Sequence, residues 1–198
     1  RLLKQFDTQS LKGFGVADME LAVVAAGASL HYLDITHHEQ IDHITRMARI
    51  DEETYVWLDK FTLRNLELLS SPNPEAKTLY DVLDKTHSPM GGRLLKRWLS
   101  LPLKDMEAIN KRLDMVDYFK GDADFQEEVT SHIKKIGDLE RMVSKIALGR
   151  ITPRGVIQLK NALDALGPLK ELCANADEAG LPELAGQLHP LKEASERI

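Results

Sequence analysis

The 198-residue chain holds a single cysteine, Cys173. An internal disulfide is therefore impossible, which suits a reducing compartment. Read alone, Cys173 near a helix end is a small core or half-buried hydrophobe. Aromatic residues make up only 6% of the chain, against many Leu, Ala, Lys and Glu, and that balance leans towards helix. The longest apolar run, Leu21 to Leu30, is far shorter than the roughly 20 residues a membrane span needs, so no membrane partner is expected. No Gly-x-x-x-x-Gly-Lys-Ser/Thr phosphate loop occurs. Gly91-Gly92-Arg93 cannot replace it, having neither the spacing nor the Lys-Ser/Thr end. No cofactor site is expected in this chain. The net charge of −5 argues against a general polyanion binder.

Catalytic chemistry is equally scarce. His31, His37, His38 and His43 crowd one segment, yet no His-x-x-x-His pair or cysteine partner accompanies them. A metal site needs convergent ligands and a second shell, so these are read as exposed or capping side chains. Nothing resembles a nucleophile elbow. Asp138 and Glu140 read as helix-start charges that favour the dipole. Glu140-Arg141 and Arg64-Glu67 read as orienting pairs. No catalytic and no metal-ligating residue is assigned.

What the chain does contain is helix punctuation. In Ser88-Pro89-Met90-Gly91-Gly92-Arg93-Leu94-Leu95-Lys96-Arg97-Trp98-Leu99, Ser88 is an N-cap and Pro89 occupies the first helical position. Leu94, Leu95, Trp98 and Leu99 form an apolar stripe, which predicts a buried face centred on Trp98. Arg93, Lys96 and Arg97 fall on a separate face. Gly91 and Gly92 are poor helix formers, so their presence in a first turn predicts close approach of a neighbour. Thr152-Pro153-Arg154-Gly155 repeats the device. It opens a longer helix with Val156, Leu159, Leu163 and Leu166 on one stripe, kinked or interrupted at Gly167-Pro168.

Other elements follow the same logic. Asp18 is expected to cap an Ala-rich helix through Leu21–Leu33, whose small residues predict close packing. Thr54–Leu58 is the one strand by its β-branched and aromatic content. Asp59 or Thr62 caps a short helix, and Asp105 caps one carrying Met106, Ile109, Leu113 and Val116. Gly121-Asp122 breaks that helix before Phe125, Val129 and Ile133 mark the next. The fold class is all-α, with one short strand near residues 54–58.

Charge is distributed in blocks. Residues 85–112 and 134–160 each hold seven Lys/Arg against two acids, while 113–133 reverse the balance with six acids against one Lys. Such alternation predicts helices that pair through complementary surfaces. Clustered basic charge is also the footprint a phosphate needs, and Arg93, Lys96 and Arg97 are the candidate phosphate contacts.

The Ser88–Leu99 run resembles the core-domain signature of the MutS family of DNA mismatch-repair proteins. Leu58-Asp59-Lys60-Phe61-Thr62-Leu63-Arg64-Asn65-Leu66-Glu67-Leu68 is similar to a second family segment. Asp81–Thr86 leads into the Pro-Met-Gly run as in the family, and Gly137-Asp138-Leu139-Glu140-Arg141 is similar to a helix start of the family. Leu11–Val16, Ala25–Ala28 and His43-Ile44 look like the end of its connector domain. The order and spacing match over nearly the whole chain. The family's mismatch-reading Phe-x-Glu, carried on a separate N-terminal domain, is expected to be missing, and the chain is expected to be a piece of a longer protein.

The resemblance implies residues 1–48 as the end of a connector domain. It implies 49–198 as the first part of a helical core, or lever, ending before the DNA clamp. The intact protein would be an ATP- and Mg-dependent homodimeric ATPase that recognises mispaired DNA in the bacterial cytoplasm. Its connector, clamp and ATPase domains would be the partners of this segment. Asp59, Arg64, Asn65, Glu67, Pro89, Met90, Gly91, Gly92, Trp98, Asp138, Glu140 and Arg141 are the expected interdomain or structural residues. Two other readings stay open: a helical adaptor that binds only proteins, and a direct non-specific nucleic-acid binder acting through the basic helix face.

Overall fold

Side-chain caps start most of the helices. In the computed structural model, which describes residues 1–16, 18–36, 41–42, 44–50, 53–178 and 180–198, the order is as follows. Helix α1 (Leu2–Gln5) and a 3-10 turn (Leu11–Phe14) precede α2 (Glu20–Ile35). Short helices α3 (Lys60–Asn65) and α4 (Leu79–Leu83) lead to α5 (Pro89–Ser100) and α6 (Met106–Gly121). Then come α7 (Ala123–Ile136), α8 (Leu139–Ala147), α9 (Pro153–Ala174), α10 (Gly180–Gln187) and α11 (Lys192–Glu196). Asp59, Thr78, Ser88, Asp105, Asp122 and Thr152 each accept a first-turn backbone N–H, satisfying a donor the helix leaves orphaned. Pro89 and Pro153 open α5 and α9 where no N–H is needed.

The expected strand is reduced to one isolated antiparallel bridge, between Tyr55 and Leu103. Val56 N–H donates to the Pro102 carbonyl (2.7 Å), and Lys104 N–H donates to the Thr54 carbonyl (3.1 Å). The partner is the short stretch between α5 and α6, too brief for a ladder. Pro102, with no N–H, contributes only its carbonyl.

The chain divides into two compact units. One comprises residues 1–51 and 143–150, the other 52–142 and 151–198. In the first unit, α1 lies against α2. Leu2, Val16 and Leu30 are buried, and the Phe6 and Phe14 rings meet at 5.2 Å. Asp18 is not the cap of α2. A turn closed by Met19 N–H on the Val16 carbonyl (3.0 Å) carries the chain past it, and Met19 takes the N-cap position without a side-chain bond. Nor, among the described residues, do the small side chains of α2 mediate close packing within the unit. Leu21 is 87% exposed, and a Cβ on Gly27 would meet no atom within 4 Å.

The second unit is built around α9. Val129 and Ile136 of α7, Ala162, Ala165, Leu169 and Cys173 of α9, and Leu181 and Ala185 of α10 form one buried cluster. Ala162 has no exposed surface, so its methyl group sets how closely α9 can be approached. Tyr118, Phe119 and Phe125 close the α6–α7 end with tilted and edge-on ring contacts at 5.3–6.4 Å. Two lysines of α9 fasten the last helices. Lys170 Nζ donates to the Leu188 carbonyl and Lys160 Nζ to the Ser195 carbonyl, both at 2.8 Å. Each ammonium thereby meets the carbonyl-rich end of α10 or α11, where positive charge is favoured.

Pro168 does not interrupt α9, which runs on to Ala174. Gly167 has no Cβ to clash with the proline ring. Asp164, whose carbonyl loses its partner, lies on the exposed side with Pro168 and can bond to water. The stripe of α5 also differs from expectation. Leu94 is 47% and Trp98 41% exposed, Leu95 and Leu99 are half-buried, and Gly92 is the buried residue of the helix. The amphipathic face exists, but the core gathers on α9 and leaves much of that face uncovered.

Candidate functional site

The residues singled out in the sequence converge on the first turns of α5 and α8. The approach to α5 is organised by Asp84. One of its oxygens accepts the Thr86 N–H (3.0 Å) and the Thr86 hydroxyl (2.7 Å). The other accepts the Tyr80 hydroxyl. These donors, Tyr80 first, hold the Asp84 carboxyl below the ordinary carboxylate value, and the same contact raises the Tyr80 phenol. One turn earlier, Thr78 and Asp81 form a reciprocal capping box (Asp81 N–H to Thr78 Oγ1, 3.2 Å; Thr78 N–H to Asp81 Oδ2, 3.0 Å). Ser88 then caps α5 by accepting the Gly91 N–H at 3.1 Å.

The two glycines fit against this connection. A Cβ on Gly91 would stand 3.2 Å from Thr86 Cβ, and one on Gly92 would stand 3.1 Å from the Tyr80 hydroxyl. The neighbour that approaches them is the chain's own α4–α5 connection. Met90, beside them, packs against the buried cluster.

Arg93 leaves the next turn of α5 and reaches the start of α8. Its Nη1 and Nη2 donate to the two oxygens of Asp138 (3.1 and 2.7 Å), and its Nε donates to Glu140 (2.9 Å). This is a bidentate fork on Asp138 with two further bonds, from Nε and Nη2, to one oxygen of Glu140. The two carboxylates push the guanidinium further above its ordinary value, Asp138 foremost. Arg93 in turn holds Asp138 below the ordinary carboxylate range. Asp138 also accepts the Arg141 N–H (3.3 Å), the position of an N-cap. The Arg141 side chain pairs with Asp138 at 3.5 Å, so Glu140 pairs with Arg93 rather than with its neighbour in sequence.

Lys96 lies over the Tyr80 ring, 4.5 Å from its centroid, and Arg112 of α6 covers the Trp98 ring at 3.8 Å. An open cleft of about 470 Å³ lies among Tyr80, Asp84, Ser88, Arg93, Lys96 and Arg141. Its cations are offset by Asp84 and by the carboxylates on Arg93. Of the three phosphate candidates, Arg93 is therefore committed to Asp138 and Glu140, Lys96 lines the cleft, and Arg97 is exposed.

The segment before α4 is a separate locus. Asp59 accepts the Thr62 N–H (2.6 Å), a bond that lowers its pKa. Arg64 and Asn65 form the exposed end of α3. No ion pair joins Arg64 to Glu67, because the helix stops at Asn65 and Glu67 takes a left-handed conformation (φ +48°). The backbone does the orienting instead. The Glu67 carbonyl accepts the Leu79 N–H (3.2 Å) and the Leu68 carbonyl accepts the Tyr80 N–H (2.9 Å).

Among the described residues, no group of three His, Cys, Asp or Glu side chains could hold a metal ion. His37, His38 and His43 lie outside the described residues. A Phe-x-Glu tripeptide does occur at Phe125-Gln126-Glu127. It belongs to α7, and the Phe125 ring packs on Tyr118 and Phe119, so it is a core element and not a free wedge. The Asp84 hub is not among the residues that the sequence patterns single out. Its signal was local: Asp-x-Thr is a spacing at which an Asp side chain bonds the backbone two residues on.

The sequence model of MutS domain III matches residues 61–197. The chain belongs to the MutS family. It is 51% identical to the DNA mismatch repair protein MutS of Bacteroides fragilis over 198 residues, all of this chain and 23% of that protein. The corresponding protein of Phocaeicola vulgatus is 52% identical over the same length, again with 23% of it covered. That of Flavobacterium psychrophilum is 49% identical over 197 residues and 23% of its length. The chain thus spans about a quarter of the curated MutS proteins it resembles. Both loci of this MutS segment fall almost wholly inside the matched range, with Asp59 just before it.

Proposed function

We propose that this MutS segment is a structural and mechanical part of a DNA mismatch-repair protein. Residues 1–48 end a connector domain, and residues 49–198 begin the helical core that joins ATP binding and hydrolysis to movement of a clamp on mispaired DNA. The intact protein works as a cytoplasmic homodimer, with ATP and Mg bound outside this segment. The observation that carries the reading is α9. It is 22 residues long, continuous through Pro168, and supported along its length by α7, α10 and α11. A packed helix of that length moves as one body, and a displacement at one end reaches the other. The exposed apolar side chains, among them Leu21, Leu94 and Trp98, supply surface on which other domains of the longer protein can rest.

The test uses two substitutions in the full-length protein. Gln158 is exposed on α9, so Gln158→Ala is expected to be silent. Ala162→Gly loosens the same helix from its buried side, by about 1 kcal/mol of helix propensity. The expected result is near-normal mismatch binding without nucleotide and a smaller ratio of DNA dissociation rates with and without ATP. An unchanged ratio in Ala162→Gly, with an altered one in Gln158→Ala, would make α9 an interaction surface instead of a lever.

A further inference from the structure

The start of α8 is held in an unusual way. None of the nine residues of α8 is buried. Leu139 and Met142 of its first turn reach the buried cluster only as partly covered side chains. The residue that joins α7 to α8 is Gly137, at φ +64° and ψ −133°, a combination that side-chain-bearing residues rarely adopt. A Cβ there would meet no atom within 4 Å, so the glycine is set by its backbone conformation and not by a close neighbour. Against this, Arg93 places four charge-assisted bonds on Asp138 and Glu140, across 45 and 47 residues of sequence. Asp138 is at the same time the N-cap of α8. The side chain that begins the helix is thus the one that α5 grips.

We propose that Arg93, Asp138 and Glu140 form an ionic latch that keeps the first turn of α8 folded on the base of α5, and that the turn opens when the latch is released. The chemistry favours a latch over a fixed pair. Glu140 is 66% exposed and Arg93 38%, so water and salt can compete for both. Asp138 is 18% exposed and forms the less solvated half. Losing Arg93 removes the grip while leaving the cap, so the α8 start weakens without disturbing the α7–α9 core.

The test is amide hydrogen exchange on the full-length mismatch-repair protein, comparing peptides from residues 139–147 with peptides from α9. It uses neither DNA nor ATP, so its outcome is independent of the lever reading. Arg93→Gln is expected to speed exchange in the first turn of α8 about fivefold while α9 exchanges as before. Asp138→Asn, which keeps an N-capping side chain, is expected to do the same, and the double variant to add little. In the unaltered protein, raising the salt concentration speeds exchange at α8, and in Arg93→Gln it does not. Unchanged α8 exchange in both variants would overturn the latch. So would equal acceleration of α9, which would mark Arg93 as a general support, or indifference of the unaltered protein to salt.

Discussion

Replacing Gly92 with alanine sets two effects of known sign against each other. In a helix, alanine is favoured over glycine by about 1 kcal/mol. At Gly92 the added methyl would stand 3.1 Å from the Tyr80 hydroxyl, 3.4 Å from Thr86 Oγ1 and 3.6 Å from Asp84 Oδ2. The first distance is several tenths of an ångström inside ordinary contact. The Tyr80 hydroxyl cannot yield freely, because it donates to Asp84, which also holds Thr86. Crowding a packed site of this kind costs about 1–3 kcal/mol. The crowding outweighs the propensity gain, and Gly92→Ala is expected to destabilise the chain by about 1 kcal/mol. With a urea slope of about 2 kcal/mol/M, the denaturation midpoint falls by about 0.5 M.

Gly186→Ala is the control. It lies in α10, exposed, and its Cβ would meet no atom within 4 Å, so only the propensity term acts and the midpoint rises. Tyr80→Phe in the Gly92→Ala background removes the oxygen that is crowded, and the pair should show coupling in a double-mutant cycle. If Gly92→Ala raises the midpoint as much as Gly186→Ala does, the glycine is not there to seat the α4–α5 connection, and the reasoning fails.

Trp98→Ala is expected to cost about 1–2 kcal/mol, below the range for a fully buried aromatic, because much of the indole is exposed and Arg112 covers one face. Urea midpoints measure it, and a loss typical of a core tryptophan would contradict the observed exposure. Acid is expected to weaken the fold through Asp59, Asp81, Asp84 and Asp138, all held below the ordinary value of 3.8 by donors present only in the folded chain. Their contribution is complete above that value and is lost as pH falls through the depressed folded values. The urea midpoint should therefore drop below about pH 4, Asp84→Asn should make the drop shallower, and a midpoint that stays level in acid would contradict the assignment.

The helix starts were legible because they are local. Ser88, Asp105 and Thr152 act on N–H groups three residues away, and no tertiary contact has to be guessed. Asp18 failed for a related reason. A turn at Val16–Met19 competed for the same residues, and only the three-dimensional path decides between two local solutions. Amphipathic pattern tells which face of α5 is apolar, but it cannot tell whether the covering element lies in the same stretch of chain. Trp98 is therefore only partly covered here, although it lies on the apolar face that its spacing defines.

The glycines and Arg93 show where sequence reasoning stops. Gly91-Gly92 announces that something comes close, and the nearest atoms turn out to belong to Tyr80, Thr86 and Ser88. The partner was a few residues upstream, but the sequence offered a neighbouring domain as readily. Arg93 read as a free cation because its partners are far away in sequence. Within a basic block, a side chain that reaches a distant acid looks identical to one that waits for phosphate. The difference lies in the tertiary path: Gly137 turns the chain so that Asp138 and Glu140, the two acids of an otherwise basic stretch, face α5. The alternating charge blocks already predicted complementary pairing between helices. The paired residues are the minority charges of the 134–160 block, so block counting points to the kind of interaction and leaves the partner open.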